Sequence, residues 1–237
     1  MNRKKITALA LTAAISAAML AGCGSSAASS AAPAADSAAD SATTDTAASA
    51  DLLSQIRERG TITVAMEGTW APWTYHDEND NLVGYDVEVA TLIAEKLGVE
   101  PEFIEGEWDG LLAGLDAGRY DIMVNGVDIT PERAEKYDFS TPYAFNRTAV
   151  ITKADDDSIN TLEDLKGKKT ANTISSTYAE LAEQYGATVT GVDDLNQTFE
   201  LLLSGRIDAT LNAEMTFYDY TKEHPDANVK IAVLTDD

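Results

Sequence analysis

From Thr61 to Val233 the chain alternates short β-rich runs with amphipathic segments of helix length, and this alternation leaves few folds open. Strands that recur with a helix between them run parallel and need crossover connections, so the pattern predicts an α/β fold. In the first half, strands are predicted at 61–66, 101–105 and 121–125. A helix opening at Tyr85-Asp86 and stopping at Gly98 lies between the first two, with Asp86 as its N-cap and Val89, Ile93 and Leu97 on its apolar face. A second helix at 108–118 turns Leu111, Leu112 and Leu115 inward, and Pro131 suits the first turn of a short third one. The pattern then returns, with strands at 169–172, 188–192, 209–212 and 229–233 and helices at 176–185, 195–204 and 214–223. A β-rich run at 145–152 joins the halves, which predicts two lobes, 51–144 and 145–237, with a small-ligand cleft between them.

The first 50 residues follow another logic. Met1 to Lys5 is basic, and Ile6 to Ala21 is an Ala-rich apolar run of signal-peptide length, too short and too small in side chain for a membrane span. Leu20-Ala21-Gly22-Cys23 resembles the lipobox of bacterial lipoproteins, which predicts a signal peptide over 1–22 and a lipid on Cys23. Cys23 is the single cysteine, so no internal disulfide is available. Gly24 to Ala50 contains Ser, Ala, Thr, Asp, Gly and one Pro, with no large apolar side chain, and reads with Cys23 as a flexible tether over 23–50. Loss of Arg3, Lys4 and Lys5 with the leader would leave 14 cationic side chains against 40 acids, a formal charge of -26. That surface argues against nucleic-acid and anionic-lipid partners.

Signals for catalysis are sparse. The two histidines, His76 and His224, read as solvated loop residues at no metal-ligand or nucleophile spacing, and no Gly-rich phosphate loop is present. No catalytic residue, metal or cofactor is therefore expected. What the sequence offers is chemistry for holding a zwitterion. Trp70-Ala71-Pro72-Trp73 follows the first strand and Trp108 opens the second helix, where indoles can face a cleft, although core packing explains such aromatics equally well. In the run Asn125 to Arg133, Gly126 permits close backbone approach and the amides of a helix start favour a carboxylate. Arg133 adds a planar fork for that carboxylate, and Asp128 an acceptor for an ammonium. By spacing alone Arg133 would instead pair on the surface with Glu132 or Glu135. Ser175, Ser176 and Thr177 sit between a strand and a helix, and N-capping uses one of their three hydroxyls.

Several runs, in this order, resemble the family 3 extracellular solute-binding proteins, the amino-acid receptors of ABC importers. They are Gly84-Tyr85-Asp86-Val87-Glu88, Trp108-Asp109-Gly110-Leu111-Leu112, Asn125 to Arg133, Asp138 to Tyr143, Leu165 to Lys169 and Gly205 to Ala209. The resemblance implies an α/β, two-lobed periplasmic-binding-protein (type II) fold that closes on its ligand by a hinge. It implies that Arg133 clamps the ligand α-carboxylate in a pocket with Asn125, Gly126 and Asp128, that Trp70 and Trp108 sandwich the ligand side chain, and that Ser176 and Thr177 complete the site on closure. The expected partners are a polar or sulfur-containing amino acid such as cystine, the ABC permease subunits, and the membrane through the Cys23 lipid. The protein is expected to be extracytoplasmic and monomeric, with no cofactor. Two departures stand out. Ala213 occupies the place of an acid that holds the ligand ammonium in many members, which leaves Asp128, or less suitably Glu214, to take that role. The chain also stops at Asp237, before the return to lobe one that relatives make. Other functions weighed for the fold are a sensor feeding a signalling receptor and a dehydratase-type enzyme.

Overall fold

The computed structural model describes residues 51–236; the leader, Cys23 and the tether lie outside the described residues. Lobe one is organised around β1 (Thr61–Met66), whose Val64, Ala65 and Met66 are all fully buried. An antiparallel hairpin, β2 (Tyr75–His76) and β3 (Leu82–Val83), follows it. β1 pairs in parallel with β4 (Glu100–Glu105) on one side and β5 (Ile122–Met123) on the other. Helix α1 (Leu52–Arg59), capped by Asp51, precedes this sheet. Helices α2 (Tyr85–Leu97) and α3 (Trp108–Asp116) supply the crossovers that parallel pairing requires.

Helix α2 differs from expectation at its start and on its face. Its N-cap is Gly84, not Asp86, and a Cβ at Gly84 would lie 2.2 Å from the Trp73 carbonyl oxygen. Asp86 enters the first turn instead and is completely buried. The most buried stripe is Val87, Ala90 and Ala94, with Val89 and Leu97 at its margin, because small alanines let the helix lie close to the sheet. Gly98 ends the helix at φ +76°, as a left-handed cap. The short α4 (Pro131–Ala134) then begins with Pro131 in its first turn.

Lobe two is a mixed sheet in the order β10-β6-β9-β7-β8, with β6 (Thr148–Lys153), β7 (Lys169–Asn172), β8 (Thr188–Gly191), β9 (Ala209–Ala213) and β10 (Val229–Leu234). β7 runs parallel to β8 and β9, whereas β6 is antiparallel to both β9 and β10. The lobes therefore share an alternating sequence pattern without sharing a sheet. Helices α5 (Thr177–Gln184), α6 (Leu195–Leu203) and α7 (Glu214–Glu223) cover the sheet. Phe199, Leu202 and Ile207 belong to one of its cores, and Ile159, Leu165 and Leu211 to the other. Every residue of β9 is buried, so the central strand fixes where its C-terminal end emerges.

Candidate functional site

Three strands close on an asparagine at or just after their C-terminal ends, where open α/β sheets bind ligands. Asn125 follows β5, Asn172 ends β7 and Asn212 is the penultimate residue of β9, and all three are buried. Asn125 holds Glu67, the residue after β1: its Oδ1 accepts the Glu67 N–H at 2.8 Å and its Nδ2 donates to Glu67 Oε2 at 2.7 Å. Asn212 Oδ1 accepts the Trp70 indole N–H at 3.0 Å, a bond that crosses from lobe two to lobe one. Asn172 Nδ2 donates to the Leu211 carbonyl at 2.6 Å, while its Oδ1 is buried with no partner among the described residues.

These strand ends surround an interlobe cavity with about 590 Å³ of empty space including its mouth. Trp70, Trp108, Asn125, Gly126, Asp128, Arg133, Ser176 and Thr177, the residues singled out in the sequence, all line it. Glu67, Thr69, Asn172, Thr173, Tyr178, Leu195, Thr198 and Asn212 line it too and were missed. The available signal for Glu67, Asn172 and Asn212 was a polar residue at the C-terminal end of an expected strand or just after it, the same signal that Asn125 gave.

Gly126 has φ +52°, and a Cβ there would come within 2.9 Å of the Trp70 ring, so the indole lies directly on bare backbone. Thr130 caps α4 by accepting the Arg133 N–H at 3.2 Å. Arg133 makes no ion pair among the described residues, and neither Glu132 nor Glu135 engages it. Its Nη1 donates to the Asp128 carbonyl at 3.2 Å, its Nη2 reaches across the cleft to the Ser175 carbonyl at 3.1 Å, and the guanidinium lies 5.2 Å from the Trp108 ring centre. The Trp108 indole N–H is buried without a partner among the described residues.

The hydroxyls of the second-lobe loop divide their work. Ser176 Oγ caps α5, accepting the Ala179 N–H at 3.2 Å and donating to the Thr173 carbonyl at 2.6 Å. Ser175, held at φ +61°, donates across the cleft to Asp109, and Thr177 donates across it to Asp128. Glu214 is committed elsewhere, to a two-pronged pair with Arg147 at 2.8 and 2.9 Å, and Ala213 offers no polar side chain.

Burial shifts two lobe-one carboxyls near the cavity. Glu67 is raised by desolvation, opposed by the Asn125 hydrogen bond and reinforced by the charge of Asp194. Asp86, behind Gly126, is raised to about 6 by desolvation; the Tyr143 hydroxyl, donating at 2.8 Å, and the nearby Gly126 N–H oppose the shift. Its Oδ2 has no hydrogen bond of good geometry among the described residues. No cluster of three or more His, Cys, Asp or Glu side chains among the described residues converges to hold a metal.

An interlobe cavity of this kind defines a protein that closes around a small solute. The chain belongs to the bacterial extracellular solute-binding proteins of family 3, whose model matches residues 62–226. A probable amino-acid ABC transporter-binding protein of Haemophilus influenzae is 42% identical over 184 residues, covering 78% of this chain and 72% of that protein. The L-cystine-binding protein TcyA of Bacillus subtilis is 42% identical over 192 residues, covering 81% and 71%. Among solved structures, an ancestral arginine-binding protein bound to arginine superposes with a TM-score of 0.70 at 40% identity, covering 75% of this chain and 80% of that one. The fold is thus the two-lobed type II binding-protein fold.

Proposed function

We propose that the interlobe cavity captures a small amino acid, with the ligand α-carboxylate on Arg133, and that the closed protein delivers it to an ABC importer. The observation that carries this reading is a guanidinium at the cavity wall with no counter-ion among the described residues, satisfied so far only by two backbone carbonyls. Its five N–H donors leave capacity for a bidentate carboxylate, which would neutralise it. The unpartnered Trp108 N–H and Asn172 Oδ1 give the same wall one spare donor and one spare acceptor.

With Ala213 unable to hold an ammonium, Asp128 and Glu67 supply the negative charge from lobe one, and Asn172 Oδ1 a neutral acceptor from lobe two. Trp70 and Trp108 bracket the side chain, and Ser176 and Thr177 close the far wall. Two carboxylates in the lining suit a polar or sulfur-containing amino acid better than an anionic one, and the relatives named for L-cystine and arginine support that choice. Isothermal titration of the full chain against an amino-acid panel tests the reading. Any ligand found must lose its affinity in Arg133→Ala, and unchanged affinity there rules out the carboxylate assignment.

The same reading divides the chain into a signal peptide (1–22), a lipid-bearing Cys23 and tether (23–50), lobe one (51–144) and lobe two (145–237), working as a monomer held to the membrane by its lipid. Among the described residues no helix is long and apolar enough to cross a membrane. Cys23→Ala should release the protein from washed membranes; retention in the variant would exclude the lipid anchor.

A further inference from the structure

A second cavity between the lobes meets the first at Thr69 and Leu195, which line both. It is the roomier of the two, with about 890 Å³ of empty space including its mouth against about 590 Å³ in the first. Its side chains are also less occupied. Tyr75 from lobe one, and Asn196, Asp219, Tyr220 and His224 from lobe two, make no side-chain hydrogen bond to any described residue. In the first cavity, by contrast, Glu67, Trp70, Asp128, Arg133, Ser176 and Thr177 are all engaged.

The two cavities carry opposite assignments of charge. Lobe one brings every ionised group of the first, while Asp219 and Glu223 reach the second from one face of α7 in lobe two. Lobe one contributes His76, exposed as expected but in β2 rather than in a loop, with Nε2 2.8 Å from Glu105 Oε2 and Nδ1 3.2 Å from the Asp80 carbonyl. Both of its ring nitrogens are thereby used. His224 is free, its ring packed 4.5 Å from that of Tyr220. Asp219 is partly desolvated and has no cation in hydrogen-bond contact. The second cavity therefore offers two carboxylates beside imidazole, amide and phenol donors, a set with acceptors for an ammonium and donors for a carboxylate.

We infer that the second cavity is a distal subsite for the far end of a ligand with an amino-acid group at each end, of the disulfide-linked bis-amino-acid class. Asp219 takes the far ammonium, and His224 with the Tyr220 and Tyr75 hydroxyls takes the far carboxylate. Thr69 and Leu195 line both cavities, so a ligand with two amino-acid ends can place one in each. The inference rests on the first cavity being an amino-acid site.

Titration of the full chain with L-cystine and with S-methyl-L-cysteine, which has a single amino-acid end, tests both readings separately. Wild type should bind L-cystine at least about tenfold more tightly, the equivalent of one good hydrogen-bonded contact set. Asp219→Asn and His224→Ala should each weaken L-cystine by about fivefold or more while leaving S-methyl-L-cysteine within about twofold. Equal wild-type affinities, or variants that change both ligands alike or neither, overturn the distal subsite and leave the amino-acid site standing. Wild type that binds neither ligand nor any other amino acid overturns both.

Discussion

The two lobes contribute equally to the first cavity in number and unequally in charge. Each supplies eight lining residues, but Glu67, Asp128 and Arg133 all come from lobe one, and lobe two presents amides, hydroxyls and Leu195. Apart from the neutral indole bonds of Trp70 and Trp73, the contacts that cross the cleft repeat the division. Asp128 meets Thr177, Asp109 meets Ser175, and Arg133 meets the Ser175 carbonyl, so in each a charged lobe-one group meets a neutral lobe-two partner. Hydrogen bonds with one ionised partner are the stronger kind, roughly 1.5–3 kcal/mol, and only one ion must leave water to form them. On the proposed reading lobe one orients a charged solute before closure. At the first cavity lobe two can close over it and retreat without stripping water from charges of its own.

Four measurements break or sharpen this division. The largest expected effect is Arg133→Ala, which should reduce ligand affinity by roughly 2–5 kcal/mol, the range for truncating one member of a buried charge pair. If a lobe-two substitution such as Thr177→Val reduces it as much, the charged and neutral walls do not differ in role.

Next is the buried Asp86 of lobe one. Its folded-state pKa of about 6 lies above the 3.8 of an exposed aspartate, so the folded state holds the proton more tightly. Stability should fall as pH rises from about 4 to about 6, by roughly 2–3 kcal/mol. Urea unfolding across that window should show a shallower slope in Asp86→Asn, with a remainder from Glu67, which burial also raises. An unchanged slope would mean that Asp86 is ionised at no penalty and that lobe one stores no such unfavourable charge.

Asn212→Ala removes the lobe-two acceptor of the Trp70 indole and should weaken closure by about 1 kcal/mol, read as ligand dissociation several-fold faster with little change in association. The smallest expected effect is Ser176→Ala. Loss of that cap should cost about 1 kcal/mol of stability and lower Tm by roughly 2–4 °C, since its hydroxyl serves α5 rather than the ligand. A loss of affinity larger than the loss of stability would move Ser176 into the binding machinery.

Much of this was legible because it is local. The bounds of β7 and α7 are those expected from the sequence, and the cavity residues that fall within the runs Asn125 to Arg133 and Ser176-Thr177 announced themselves by composition. The misreadings are tertiary. Asp86 looks like a cap until Gly84, with φ +131° and the Trp73 carbonyl against its α-carbon, takes that position and turns the carboxylate inward to Tyr143. The Trp70–Asn212 bond joins residues 142 positions apart, and no local pattern encodes it. Nor does any pattern say that the second sheet is mixed, because β6 reads the same whether its neighbours run with it or against it.

All three tryptophans of the chain stand at the seam between the lobes. The Trp70 and Trp73 indoles donate across it, to Asn212 at 3.0 Å and Thr216 at 3.3 Å, and Trp108 lies under the arginine that reaches over it. Opening must therefore wet every strong fluorophore in the protein at once. Its ultraviolet emission should shift to the red in the open state and return to the blue on capture, so that the molecule reports its own occupancy without a dye.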